Sequence, residues 1–477
     1  MKPAVCQRLR SLCLTVLCAA GIALFALRLN VHFPEQKEAR ELLTAALLAE
    51  EGMEQRAWPA EVQARRTLFH VFAAGCARFF GEGNGPYPGR CYRVAPVLVG
   101  GLALLALFAL GSRQSQGVFE TPDGGLWAVA FALMILGLIW HGVSFSPYLF
   151  EACTVLGLLL MARAYARWPG AASAAGFGIL TAVLLSLDAN TWWLLPAFIP
   201  AVAIGAGWRR LCLYWRLWHV LLALAAALGV GSILMQCGLT GWPTWPSFEA
   251  FGFGEDPWPE ALWRFLWLCG GGFGLVGWSV LAVWCWRRGD RRWARFFVVL
   301  FPPVVIGALC FGARSIFGVA MGVLAALIVG MALSAIPSRL WRLLLGSTTL
   351  LALGYGLGWQ PDGHVQTWLS REEQRENIQV LRQAFKAPRR HGLRTRIVGG
   401  SREGCAQLLW LLRRQPGGAV WAQEAPDDAD IFIVSEADLS RLTPMRQRLI
   451  LPGVVRTGGE VRFRVFAERP DCAEEGL

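Results

Sequence analysis

The stretch VAPVLVGGLALLALFALG, residues 94–111, holds eighteen positions without a single charged side chain. Wound as an α-helix at ~1.5 Å per residue, it nearly matches the ~30 Å hydrocarbon core of a bilayer. One such block would not decide the matter, because the interior of a soluble protein can hold an equally apolar helix. Repetition does decide it. Comparable blocks lie near 9–29, 126–143, 147–165, 171–187, 191–207, 217–239, 263–286, 296–313, 316–336 and 340–359. The pattern predicts an α-helical polytopic membrane protein with about 11 transmembrane helices.

Composition points the same way. Hydrophobic residues make up 55% of the 477-residue chain and charged residues only 16%, whereas a water-soluble domain carries about a quarter. A net charge of +12 would raise the question of nucleic acid in a soluble protein. Here the arginines fall between apolar blocks, where they report topology. Membrane lipids are therefore expected as partners, and nucleic acid is not.

Orientation follows from where the basic residues sit, because cytoplasmic connections keep Lys and Arg while short exported ones lack them. Arg163 and Arg167, Arg209, Arg210 and Arg216, the run from Arg287 to Arg295, and Arg339 with Arg342 occupy alternate connections, on the side of Lys2, Arg8 and Arg10. The connections around 144–147, 188–190 and 241–260 contain neither Lys nor Arg. This predicts a multi-pass protein of the cell inner (cytoplasmic) membrane with a cytoplasmic N-terminus. The first apolar block follows basic residues as a signal peptide would, but no small-x-small cleavage site leads into a polar start, so it is expected to remain as a first helix.

The exception to the charge pattern is the long connection 30–93, which is polar and keeps basic residues although it falls on the outer side. Residues 35–50, with Leu42, Leu43, Ala46 and Leu47, and residues 60–80, with Val62, Leu68, Phe69, Phe72 and Phe79, show apolar positions at helical spacing. They predict amphipathic helices on the membrane surface. The connection GWPTWPSFEAFGFGEDPWP, residues 241–259, reads either as an interfacial anchor or as a lid over a lipid-linked or sugar ligand.

From about residue 360 hydropathy falls, and short alternating segments at 394–398, 419–422, 431–434, 449–455 and 461–466 predict strands, with helices near 370–385, 403–413 and 439–447. The expected organisation is a transmembrane domain over 1–359 and a small C-terminal α/β extracytoplasmic domain over 360–477. Most of the thirteen cysteines lie inside apolar blocks as small packing residues. Two outer pairs, Cys76 with Cys91 and Cys405 with Cys472, are candidates for disulfides in an oxidising compartment.

Several short stretches give this layout a family resemblance. FPEQKEAREL, Phe33 to Leu42, resembles the acidic Asp-Glu-Ala-x-Tyr opening of a surface helix. Its best register sets Glu38-Ala39-Arg40 on Glu-Ala-x, with Lys37 at the family's acidic position, and a shifted register offers Glu35. ARRTLFHVFAAGCARFFG, Ala64 to Gly81, is similar to a second surface helix that opens on a basic residue and Pro-Pro-Leu. Arg65 or Arg66 stands for the base, and the prolines are replaced. SPYLFEACTVLGLLLMARAYAR, Ser146 to Arg167, places Glu151 after a short outer turn. Asp188-Ala-Asn190 stands where a Thr-Lys-Gly-Pro turn would lie, and GARSIFG keeps Arg314 at the start of a late helix.

On these stretches the chain, over about residues 10–340, resembles the C-type membrane glycosyltransferases that use a polyprenyl-phosphate sugar donor, especially bacterial protein-mannosyltransferase-like and lipid A aminoarabinose-transferase-like proteins. The resemblance implies transfer of a sugar from a polyprenyl-phosphate-linked donor to a lipid, glycan or protein acceptor of the cell envelope, at the outer face. It implies Glu38 or Glu35 as catalytic carboxylate, and Arg65, Arg66, Glu151, Asp188 and Arg314 as substrate-binding residues.

The residue chemistry is consistent with those roles. Such a reaction needs a carboxylate to deprotonate the acceptor or to hold a divalent cation, which leaves the cofactor open, and it needs cations to neutralise the departing phosphate. Guanidinium forks suit phosphate oxygens. No His/Cys cluster with zinc spacing, no Walker-type lysine loop and no nucleophile elbow is present, which argues against zinc chemistry, ATP-driven transport and serine hydrolysis. The alternatives are a catalytically inactive relative that binds lipid-linked glycan or scaffolds envelope assembly, and a transporter.

Overall fold

A computed structural model describes residues 3–26, 36–51, 67–81, 90–112, 123–135, 145, 147–167, 170–187, 191–206, 215–239, 270–288, 292–311, 316–336, 338–358, 395–398, 410, 420–422, 431–436, 439, 450–457 and 460–467. Its helices are α1 (Pro3–Ala26), α2 (Gln36–Glu51), α3 (Leu68–Phe80), α4 (Arg90–Ser112), α5 (Asp123–Ala132), α6 (Tyr148–Arg167), α7 (Ala171–Leu187), α8 (Thr191–Ala206), α9 (Trp215–Gln236), α10 (Gly271–Arg288), α11 (Arg292–Phe311), α12 (Ile316–Ala335) and α13 (Arg339–Gly358). Each apolar block contains one of these helices. Four of them (α4, α6, α9 and α12) contain stretches long and apolar enough to cross a membrane.

The chain divides into two compact units, residues 1–28, 53–73 and 93–359 in the first and 29–52, 74–92 and 360–477 in the second. The first unit is a helical bundle centred on α12, whose apolar stretch is buried along its whole length by α5, α6, α10 and α11. Small residues let these helices close up. A Cβ on Gly330 would lie 2.5 Å from the Gly124 carbonyl oxygen, and one on Gly111 would lie 2.7 Å from the Gly125 Cα. Apolar solvent gives membrane helices little reason to associate, so close backbone approach supplies the van der Waals attraction instead. By contrast α9, packed chiefly on α7, exposes Trp218, Leu221, Leu224, Leu228 and Ile233, the surface expected of a helix facing lipid.

Helix ends are set by local chemistry. At the end of α9 the amide of Leu239 reaches the Leu234 carbonyl (3.0 Å) and that of Gly238 reaches the Met235 carbonyl (2.9 Å), the paired bonds of a Schellman motif. Gly238 has φ 66°, a value that glycine adopts without steric cost. At the end of α4, Arg163 of α6 donates to the carbonyls of Leu110 (2.7 Å) and Ala109 (3.4 Å), two of the acceptors that a helix terminus leaves unsatisfied.

The second unit contains a five-stranded sheet of β1 (Thr395–Val398), β2 (Val420–Ala422), β3 (Ile431–Ser435), β4 (Ile450–Thr457) and β5 (Glu460–Ala467), in the order β2-β1-β3-β5-β4. The first three strands are parallel; β5 runs antiparallel to both β3 and β4. All five strands overlap the segments expected from sequence. Ile433 and Val434 are buried, and the indole of Trp410, also buried, meets the ring of Tyr92 edge-on at 5.7 Å.

Helix α2 buries Glu38, Ala39, Leu42, Thr44, Ala45, Ala46 and Leu48, well over half its circumference. It is enclosed by protein, and its last carbonyls, those of Leu48 and Ala49, are held by Arg78 of α3. Cys76 and Cys91 are both buried but are not joined in a disulfide. Burial also pushes the Cys76 thiol above its ordinary pKa, which suppresses the thiolate that oxidation would require. Cys405 and Cys472 lie outside the described residues.

Candidate functional site

Four side chains that carry a charge or an imidazole are buried among the described residues: Glu38 (4% exposed), His70 (1%), Arg93 (3%) and Glu151 (6%). Burying an ion costs several kcal/mol unless a partner or ligand compensates it. All four come from the first loop or from helix beginnings that the arginine pattern assigns to the outer side. The described residues of the opposite helix ends bury no such group.

Glu38 stands in the first turn of α2. The free amides of that turn favour an anion, and the carboxylate is enclosed there instead of facing solvent. This placement belongs to the second unit, together with the sheet.

In the first unit, α3 and α6 begin side by side. The ring of Phe69 lies 5.0 Å from that of Phe145 and 6.2 Å from that of Phe150, and Phe72 approaches Phe150 at 6.3 Å. These aromatic contacts set His70 and Glu151, the neighbours of Phe69 and Phe150, on adjoining helix starts. Glu151 occupies the first turn of α6, with its amide bonded to the Pro147 carbonyl at 2.9 Å. Its carboxylate, like that of Glu38, sits at a positive helix terminus.

His70 is the third residue of α3, and its ring closes a capping arrangement. Thr67 donates its backbone N–H to Nδ1 (3.2 Å) and holds its hydroxyl 2.9 Å from the same atom. A nitrogen that accepts an N–H carries no proton, so the ring hydrogen resides on Nε2. Thr67 and His70 together do what a proline pair does at a helix start, fixing where the chain turns into α3.

Arg93 stands in the first turn of α4. At the other end of that helix, the Arg163 bonds to Ala109 and Leu110 bring the finishing ends of α4 and α6 together.

Of the residues singled out from sequence, Glu38 and Glu151 are thus placed, and both are buried at helix N-termini. Glu35, Arg65, Arg66, Asp188 and Arg314 lie outside the described residues. Sequence reasoning missed His70 and Arg93. The Thr-x-x-His spacing ahead of an apolar run was the available sign for the first, and for the second it was a guanidinium just before an uncharged block. Among the described residues no group of three His, Cys, Asp or Glu side chains is arranged to hold a metal ion.

No protein-family model matches the sequence, and no curated protein matches it. Solved structures do match the fold. ArnT from Cupriavidus metallidurans, in its apo state, superposes with a TM-score of 0.58 at 13% identity, covering 96% of this chain and 98% of that one. The same protein bound to undecaprenyl phosphate gives a TM-score of 0.60 at 13% identity over the same shares. An oligosaccharyltransferase from Archaeoglobus fulgidus is more distant, with a TM-score of 0.48 at 11% identity over 89% of this chain and 68% of the other. Over 96% of its length the chain has the fold of ArnT.

Proposed function

We propose that this chain is a glycosyltransferase that moves a sugar from a polyprenyl-phosphate donor to a cell-envelope acceptor at the outer face of the cytoplasmic membrane. The observation that carries the reading is the enclosure of carboxylates in the first turns of α2 and α6, on an ArnT-like fold, in segments expected on the outer side. Water would otherwise solvate such groups at little cost, so their burial supports a role beyond that of a solvated helix face.

Glu38, or Glu35 in the alternative register, takes the acceptor proton. Arg65, Arg66 and Arg314 neutralise the departing lipid phosphate, while Glu151 and Asp188 orient the sugar and its acceptor. About eleven helices span the membrane, and residues 360–477 form an extracytoplasmic domain.

Membranes containing Glu38→Gln, Glu35→Gln or the double variant provide the test. The double variant is expected to be present at wild-type amounts and to lose transfer by about 10²–10⁴-fold, the usual contribution of a general base. Wild-type transfer by the double variant would remove the carboxylates from the mechanism. One observation favours a second reading: Lys37 stands where the resembling family carries an acidic residue. An inactive relative would bind lipid-linked glycan with no turnover, and donor consumption by the purified chain excludes it.

A further inference from the structure

We infer that His70 is a positioning residue for Glu151: its imidazole closes the cap of α3, and a series of aromatic rings carries that fixed geometry to the start of α6. The inference rests on the proposed reading, in which Glu151 orients the sugar and its acceptor, and names the residue that holds Glu151 in place.

The cap comes first. Thr67 precedes α3, and its carbonyl accepts from the amides of His70 (3.0 Å) and Val71 (3.3 Å), as the residue flanking a helix start does. Its own amide donates to His70 Nδ1 at 3.2 Å, and its hydroxyl lies 2.9 Å from the same nitrogen. This is the reciprocal bond that Glu or Gln ordinarily makes from the third position of a helix. His70 is among the most buried side chains of the bundle, and a carboxylate at that depth would bury a charge. The imidazole supplies a neutral acceptor instead, on a flat and stiff side chain.

The same ring has an aromatic neighbour. Phe69 meets it edge-on at 5.5 Å and is itself wholly buried. Phe69 in turn packs on Phe145 and Phe150, and Phe72 of the same helix approaches Phe150 as well. Phe150 directly precedes Glu151 in the first turn of α6. An unbroken series of contacts therefore runs from Thr67 through His70, Phe69 and Phe150 to the backbone that carries Glu151. Close-packed side chains transmit strain, so a change at the cap displaces the far end of the series.

The start of α13 shows a cap that serves its own helix alone. Ser338 Oγ accepts from the Trp341 amide at 3.5 Å, in the open, with the Trp341 side chain exposed. A small hydroxyl is enough there. At α3 the cap is buried, and the group that closes it also fills the space beside Phe69.

The test is a double-mutant cycle on the release of undecaprenyl phosphate by the purified full-length chain, given undecaprenyl-phosphate-linked sugars extracted from membranes and an envelope fraction as acceptor. The proteins are the wild type, His70→Phe, Glu151→Gln and the pair, with His70→Asn as the conservative variant. Phe keeps a ring and loses the acceptor, whereas Asn places Oδ1 as many bonds from the backbone as Nδ1 and can accept the Thr67 amide. His70→Phe is expected to lower transfer about tenfold, within the range of a small displacement at a reacting site. His70→Asn should recover most of that loss. In the Glu151→Gln background, His70→Phe should add less than about a twofold loss, because the group it positions is already gone.

Losses that multiply across the cycle, the mark of a cap that supports only the fold, overturn the inference. Wild-type transfer by a folded His70→Phe protein does so too. If His70→Phe does not fold, Thr67→Ala takes its place in the cycle: it removes the hydroxyl, keeps the amide, and should lower transfer roughly threefold with the same dependence on Glu151. A wild type that releases no undecaprenyl phosphate overturns the proposed function and the inference together, while multiplying losses in an active protein leave the proposed function standing.

Discussion

The two ends of α4 and α6 use charge in opposite ways. Where the helices finish, Arg163 closes the carbonyls of α4, and beside it Gly111, Gly124, Gly125 and Gly330 let the backbones of α4, α5 and α12 touch. Where they begin, Arg93 and Glu151 are buried, as is His70 of α3. The finishing end is built as structure: every feature there satisfies a helix terminus or fills space. The beginning end buries charged groups, Glu151 among them, which the proposed function assigns to binding. Identical residue types thus divide by position, and the division is testable.

The largest expected effect is on transfer. Glu151→Gln leaves the shape of the α6 start intact and removes a charge-assisted hydrogen bond to substrate, about 1.5–3 kcal/mol, so transfer should fall roughly 10- to 100-fold at unchanged expression. A loss of thermal stability at unchanged transfer would mean that the beginning end is structural too.

At the finishing end the order of effects reverses. Gly330→Leu forces a side chain onto the Gly124 carbonyl and the Ala128 amide, and should cost about 1–3 kcal/mol or more, read as a lower unfolding temperature in detergent, with transfer by the folded fraction unaltered. Arg163→Gln removes the α4 cap and should cost about 1 kcal/mol in the same assay, again with normal transfer. A transfer defect larger than the stability defect in either variant would break the division between the two ends.

The smallest effect belongs to the second unit. Arg464 donates to Glu436 through two bonds of 2.7 Å, which raise the pKa of its guanidinium, but both side chains are more than a third exposed. Solvent screens such a pair. Arg464→Gln should leave unfolding temperature and transfer within experimental error.

How far these features can be read from sequence depends on whether the determining physics is local. The helices of the apolar blocks are legible because a bilayer demands some twenty uncharged positions in a row, and the strands of the sheet because their side chains alternate. Glu38 and Glu151 are legible because each opens a helix in a stretch with a family likeness. The enclosure of α2 is not, since its apolar stripe looks the same whether lipid or protein covers it. Neither is the separation of Cys76 from Cys91, because spacing along a chain does not fix the direction of two Cβ vectors.

Arg93 and His70 escape for related reasons. Arg93 directly precedes Val94, where the uncharged run begins, and a hydropathy reading assigns it to the loop. His70 closes its helix cap with an imidazole where Glu or Gln is the usual partner, so the Thr-x-x-His pattern is easily passed over.

Donor turnover tests the central claim most directly. Purified full-length chain is mixed with undecaprenyl-phosphate-linked sugars extracted from membranes and with an envelope fraction as acceptor, and free undecaprenyl phosphate is followed by mass spectrometry. The account predicts its steady release by the wild type and none above background by the Glu35→Gln/Glu38→Gln variant. Equal release by both proteins, or none by either, would contradict it.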